Sequence, residues 1–440
     1  MQALADLGNK EGVAKVALLL KDKDVRVRRA AAHAAAALNV RDTAKLLVTM
    51  AAETDTGLRC ACLHSLRLLQ EPGAVPPAVR SLGNLETQLP ALRYLERFGD
   101  KNQADAVVAA AKSNPTAEVV PLVCQMISRW NHPDLDRKLA DLQGTTGLLA
   151  RWTAVGPLPG KTASSIIERW ANGAAAEESW QIIFAKGSEG RVHIPAQKKG
   201  DMVWLAHTSF NLSKSANIQF LGTANGGLQI WIDGKSVYKR DQARSFVPDS
   251  ERFEAALAKG GHRLLVAITG PQELAVFHLR FRAKSSSADH ERLTQAALSN
   301  PGNAERGRKL FFDVAKSQCL KCHRLKDQGE RIGPDLTGIG NRFGRIHIIE
   351  SILQPNRWIA PGYETIRVEL KNGTSVIGTR IAETADTLTL GDQQGQKHVL
   401  RISNIESRRT LAGSTMPEGL ERQLTQEEFV DLVGFLAGQK

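Results

Sequence analysis

Over 440 residues, 42% of them apolar and 24% charged, the chain has room for two to four domains and enough apolar mass to bury real cores. A disordered class is excluded, and no apolar run is long enough to cross a bilayer. The formal charge of +12 is diffuse: residues 301–440 carry 20 Lys+Arg against 17 Asp+Glu, and outside one short helix face near "VRVRR" there is no basic cluster, so nucleic acid is not an expected partner.

The chain opens on "MQALADLGNKEGVAKV". That stretch lacks the basic segment and apolar core of an export signal. It reads as if it begins inside a helical repeat, and the expectation is that upstream residues have been removed. Residues 1–145 have helical periodicity and repeat themselves. "DVRVRRAAAHAAAAL" (24–38) and "DTGLRCACLHSLRLL" (55–69) align at an offset of 31, pairing Val27 with Leu58, Arg28 with Arg59, Ala30 with Ala61 and Leu38 with Leu69. An amphipathic helix precedes each, and weaker copies follow near "LPALRYLERF" and "EVVPLVCQMI". Helix pairs at this period bury a core only by stacking into a solenoid. The Asp-x-x-Val-Arg-x-x-Ala-Ala pattern resembles HEAT repeats, and implies either a docking surface or a spacer scaffold. Cys60, Cys62 and Cys124 fall on these helices and read as small apolar residues.

Near residue 148 the texture changes. "MVWLAHTSF" (202–210), "NIQFLGTA" (217–224), "GLQIWIDGKSVYKR" (227–240), "HRLLVAIT" (262–269) and "LAVFHLRF" (274–281) alternate as strands. Asp233-Gly234 is a hairpin-turn signal. Several short strands at this spacing predict an antiparallel sandwich over 148–283. The run "GGLQIWIDGKSVY…GGHRLLVAI" resembles jelly-roll modules of the galactose-binding or PA14 type. That resemblance implies carbohydrate as a partner, although Trp152, Trp180, Trp204 and Trp231 are spaced as core residues. Residues 284–300, beginning "KSSSADHE", read as a linker.

The segment that follows holds Cys319-Leu320-Lys321-Cys322-His323. From this chain's own Cys and His content, a CxxCH arises by chance about once per thousand such sequences. A structural zinc site would want a second Cys/His pair, and none follows. A thioredoxin-like pair would sit where a strand enters a helix. Here the lead-in "NAERGRKLFFDVAKS" is helical, with Leu310, Phe311 and Val314 on one face. Two thiols at this spacing reach the two vinyl groups of one haem, and the adjacent His then meets the iron. The other nitrogen of His323 needs an acceptor, which a carbonyl of the Gly-Pro turn in "IGPDLTGIG" (332–340) offers. Met416, in "AGSTMPEGL", is the expected sixth ligand, with His347 and His398 as alternatives. Thr425-Gln426-Glu427-Glu428 marks a capping box for a last helix.

Residues 301–440 resemble a class I c-type cytochrome: Gly307-x-x-Leu310-Phe311 on a first helix, CxxCH, Gly333-Pro334-Asp335-Leu336, a Met-Pro and a terminal helix. They are most similar to the haem-binding domains at the C-termini of large planctomycete and verrucomicrobial proteins, a likeness that includes "ESILQPNRWIAPGYE" (350–364). It implies one covalent haem c with its iron, thioethers at Cys319 and Cys322, His323 as proximal ligand, Met416 as distal ligand, and Gly333, Pro334 and Leu336 as proximal wall. Phe343 and Trp358 are candidate haem contacts. Between His323 and Met416 a strand-patterned stretch, about 363–402 with an Asn372-Gly373 turn, reads as a β-insertion.

The expected fold class is therefore multidomain α + β: a HEAT-like α-solenoid, an antiparallel β-sandwich and a mostly α cytochrome c domain carrying a small sheet. The expected function is electron transfer with a redox partner protein such as a sugar or alcohol dehydrogenase, in a periplasmic or extracytoplasmic home. The alternatives are a peroxidase-like haem enzyme and a carbohydrate-binding protein with an accessory haem.

Overall fold

The computed structural model describes residues 10–173, 180–194, 202–270 and 274–440, with side chains from residue 15 onward; residues 1–9 of the expected repeats lie outside them. The chain divides into two compact units, residues 1–114 with 126–133, and residues 115–125 with 134–440. Helix and antiparallel sheet are mixed as expected. Among the described residues no helix is long and apolar enough to cross a membrane.

The first unit is helical: α1 (Lys10–Leu19), α2 (Val25–Ala37), α3 (Ala44–Met50), α4 (Thr56–Leu68), α5 (Val75–Ser81), α6 (Leu85–Phe98) and α7 (Ala104–Ser113). Asp24, Asp55 and Asn84 each stand one residue before α2, α4 and α6. Each side chain accepts from a first-turn backbone N–H, which is why short acceptors recur at this spacing. α2 packs on α4 and α4 on α6. Alanines 31, 32, 34 and 35 are buried, small enough to let neighbouring backbones approach. Ser65 Oγ donates to Ala32 O across that contact at 2.8 Å, and Arg29 holds Asp55, the cap of the next pair, with Nε and Nη2. Cys62 and Cys124 are buried and Cys60 half-buried, all three free.

α8 (Val119–Arg129) straddles the division. The second unit continues with α9 (Leu135–Thr146), β1 (Arg151–Pro159), α10 (Gly160–Ala171), β2 (Gln181–Phe184), β3 (Val192–Ile194), β4 (Met202–Leu212), β5 (Ala216–Ala224), β6 (Gly227–Ile232), β7 (Lys235–Arg240), β8 (Glu251–Leu257), β9 (Gly260–Thr269) and β10 (Ala275–Ala283). Two antiparallel sheets, β2-β1-β4-β9-β6-β7 and β3-β10-β5-β8, enclose one core in which Trp152, Trp204, Phe210, Phe220 and Phe277 are fully buried. Asp233 (φ 50°) and Gly234 (φ 83°) turn β6 into β7, the two left-handed positions that an Asp-Gly turn supplies.

Two expected boundaries are corrected. α9, assigned to the helical repeats by its periodicity, packs on β4: Gln143 Nε2 donates to Thr208 Oγ1 (2.9 Å) and Ser209 O (2.6 Å). The expected linker at 284–300 holds α11 (Ala288–Ser299), capped by Ser287. Its Leu293 and Ala297 bury against Ile349, Phe429 and Val433. A helix that small needs only two or three apolar positions, too few for periodicity to declare.

The last third holds α12 (Ala304–Phe312), β11 (Arg324–Leu325), β12 (Gln328–Gly329), α13 (Ile339–Arg342), α14 (Arg345–Leu353), a five-stranded sheet and α15 (Gln426–Ala437). α12 crosses α15 at Gly307, where a Cβ would stand 2.0 Å from Asp431 O; only glycine admits that approach. Thr425 and Glu428 form the expected capping box. Val314 does not join the face of Leu310 and Phe311: α12 ends at Phe312 and Val314 is 40% exposed. The sheet comprises β13 (Thr365–Leu370), β14 (Ser375–Glu383), β15 (Thr387–Gly391), β16 (Lys397–Arg401) and β17 (Ile405–Thr410), ordered β16-β15-β14-β13-β17. It runs past the expected end at 402 because β17 returns to pair with β13.

Candidate functional site

The site is built from one tight reversal. Gln318, at φ 59°, leads into a turn in which the N–H groups of Cys322 and His323 donate to Cys319 O at 3.2 and 2.9 Å. The β11–β12 hairpin then brings the chain back. Ile332 and Gly333 both donate to Cys322 O (3.0 and 2.8 Å), and Leu336 to Arg324 O (2.8 Å). This return sets Pro334 O 2.8 Å from His323 Nδ1.

That contact assigns the tautomer. A carbonyl only accepts, so Nδ1 carries the proton and Nε2 keeps an open lone pair. Gly333 lies against the same ring: a Cβ there would come within 2.6 Å of Cε1 and 3.1 Å of Nε2. Burial holds the His323 ring below its usual pKa and pushes the thiols of Cys319 and Cys322 up. All three groups are neutral near pH 7, the reverse of an activated redox thiol, whose pKa falls.

An apolar wall adjoins the turn. Cys319, Leu320, Leu336, Ile339 and Phe343 pack against Leu310, Phe311, Leu325, Ile348 and Phe435. Phe343 also stacks on His347, with centroids 4.0 Å apart and planes 5° apart, and the Trp358 ring lies 5.8 Å from that of His347. His347, held neutral by burial with its pKa lowered to about 3, lines a cavity of about 50 Å³ together with Arg280, Arg282, Glu350 and Trp358.

The structure thus brings Cys319, Cys322, His323, Gly333, Pro334 and Leu336 together, with Phe343 in the same apolar cluster. Trp358 belongs to the His347 stack. Met416 stands half-buried on a separate loop between β17 and α15, its N–H donating to Ser414 Oγ. His398 is on β16, its Nε2 2.7 Å from Asp392 Oδ2. Sequence reasoning missed Ile332, Thr365, Thr379, Gly391 and Thr415, which no motif or periodicity singles out.

Two unbridged thiols come just before a histidine whose Nδ1 is held and whose Nε2 is open, beside an apolar wall, a donor set with the chemistry that a covalent haem would require. Among the described residues no three His, Cys, Asp or Glu side chains converge as the direct ligands of a metal ion.

No family model and no curated protein matches the chain. Among solved structures it is similar to the beta-glucosidase of Kluyveromyces marxianus in complex with glucose, at 13% identity over 33% of this chain and 17% of that one, TM-score 0.23. It is also similar to the PA14 sugar-binding domain of an RTX adhesin, at 12% identity over 31% of this chain and 91% of that one, TM-score 0.22. A third is the PA14 domain of the MpAFP antifreeze protein, at 12% identity over 32% and 84%, TM-score 0.21. The chain spans about a sixth of the length of the beta-glucosidase.

Proposed function

We propose that this chain is an electron carrier with one covalently held haem c. On this reading the stacked helix pairs are a HEAT-like solenoid, the sandwich is a jelly roll of the galactose-binding or PA14 type, and residues 301–440 are a class I cytochrome c domain. The observation that carries the proposal is the His323 Nδ1 to Pro334 O hydrogen bond of 2.8 Å. It orients the imidazole beside two free cysteines and leaves Nε2 available. Cys319 and Cys322 would hold the group, His323 and Met416 would ligate its iron, and Gly333, Pro334 and Leu336 would line it on the side of His323. The haem, when bound, supplies a one-electron couple, and a thioether sixth ligand raises its potential. Attachment at such a motif implies a periplasmic or extracytoplasmic home, and a redox partner protein such as a sugar or alcohol dehydrogenase.

Protein made with a haem c maturation system is the test. The expected pyridine haemochrome spectrum is that of a haem with two thioethers, lost when Cys319 and Cys322 are both replaced by Ala. The expected ferric spectrum has a Met-sulfur-to-iron charge-transfer band, absent in Met416→Ala. Wild type without haem overturns the proposal. A high-spin resting spectrum turns it toward the peroxidase-like reading.

The second reading is a carbohydrate-binding protein. It draws on the two-sheet sandwich. Trp152, Trp204 and Trp231 are buried, so a sugar site there would be built from loops rather than from these rings. Glycan-array binding by the whole chain, unchanged in the haem-free double cysteine variant, would favour it.

A further inference from the structure

The inserted sheet carries one row of residues that meets both the loop bearing Met416 and the Ile332 side chain beside the CxxCH turn. Thr365 of β13 stands opposite Thr379 of β14, Thr379 opposite Gly391 of β15, and Gly391 opposite Lys397 of β16. Directly paired residues point to the same face, and neighbouring strands lie about 4.8 Å apart. The loop that bears Met416 sits on the threonine end of this row. Thr415 Oγ1 is 3.0 Å from Thr365 Oγ1 and 2.7 Å from Thr379 Oγ1. Thr365 Oγ1 donates to Gly413 O at 2.9 Å.

Each hydroxyl has one proton, so the bonds run one way: Thr379 donates to Thr415, Thr415 to Thr365, and Thr365 to Gly413 O. All three threonines are buried. Asn356 Oδ1 accepts from Ser414 N–H at 2.7 Å and fastens the loop from its other side. The glycine end of the row meets the proximal wall. A Cβ on Gly391 would come within 2.6–2.9 Å of the Ile332 side chain. Ile332 is buried and donates to Cys322 O, and it precedes the glycine that lies on the His323 ring.

We infer that the inserted sheet is a positioning clamp, in which Thr365, Thr379 and Thr415 set the Met416 loop at a fixed separation from the His323 wall. The inference rests on the electron-carrier reading. The physical need is clear from the chain: a loop closing over the 92 residues between His323 and Met416 would be loose, whereas a hydrogen-bonded sheet is stiff.

The test compares Thr379→Val, Thr415→Val, Thr379→Ser and the control Thr387→Val, which lies outside the row. The first readout is the rate at which imidazole displaces the methionine from the ferric, haem-loaded protein. The second is amide hydrogen exchange over 411–417 in the haem-free protein. Both valine variants should raise the displacement rate about tenfold, the factor one buried hydrogen bond is worth, and speed exchange in 411–417. Thr379→Ser keeps the hydroxyl and should restore wild-type values, as should the control. Thr415→Val leaves the sheet itself intact if Thr379→Val misfolds. Wild-type rates and exchange in both valine variants, with the methionine band present, overturn the clamp alone. Wild type lacking haem or lacking the band overturns the clamp together with the reading beneath it.

Discussion

At the scale of single residues, the site depends on how closely the backbone of Gly333 approaches the His323 ring. Any Cβ there enters the space of the imidazole, so Gly333→Ala should tilt the ring and stretch its bond to Pro334 O. On the proposed electron-carrier reading, the expected outcome is a fall in reduction potential and a weakened methionine band, with thioether attachment retained because the cysteines are untouched. Redox titration with visible spectroscopy checks it, and a wild-type potential would show the ring is held by other contacts. The interval between His323 and Pro334 is eleven residues, short enough that a Gly-Pro turn after a CxxCH could be read as the acceptor before any fold was known. Thr415, 36 residues beyond Thr379 and 50 beyond Thr365, left no comparable trace.

At the scale of elements, α11 is the clearest case of structure hidden in a linker-like stretch. Its half-buried Glu291 pairs with the buried Arg282 of β10, whose Nε also donates to Gln219 Oε1. Arg252 of β8 reaches Leu298 O at 2.5 Å, and Arg345 of α14 reaches Ala297 O at 2.6 Å. The helix therefore joins the sandwich to the last third of the chain within one unit. Glu291→Ala leaves the Arg282 guanidinium buried without its carboxylate and should cost about 3 kcal/mol, read as a lower urea midpoint. A linker would show no change in the midpoint and would be cut by protease at 284–300, which the intact helix should resist.

At the scale of the whole molecule, the second unit is built around uncharged histidines. Burial lowers the pKa of His207 and His278 to about 4 and that of His347 to about 3. In the unfolded chain each titrates near 6.5. Between those values the unfolded state binds protons that the folded state does not, so acid favours unfolding. Stability from these groups is complete above about pH 6.5 and declines progressively as pH falls toward 4. Asp249, held below the usual carboxylate range by Arg280 and His278 although burial opposes it, adds to the loss at lower pH. Urea midpoints should thus stay level from pH 7.5 to about pH 6.5 and fall steadily from there to pH 4.5, and a flat profile over the whole range would show that these rings are protonated in the fold.

The sequence by itself determined what depends on near neighbours along the chain. The repeat that begins at Asp24 and again at Asp55, the Asp233-Gly234 turn, the alternating strands of the sandwich, the Thr425–Glu428 box and the CxxCH with its Gly-Pro return are all legible within short stretches of chain. Tertiary structure decided whatever needed a distant partner. It moved α9 onto the sandwich, folded 288–299 into a helix and carried the inserted sheet on to Thr410. It also placed Trp358 on His347 and joined the Met416 loop to Thr365 and Thr379. In each case the stabilising contact is a packed side chain or a buried hydrogen bond between segments far apart in sequence, and composition and period carry no record of such a contact.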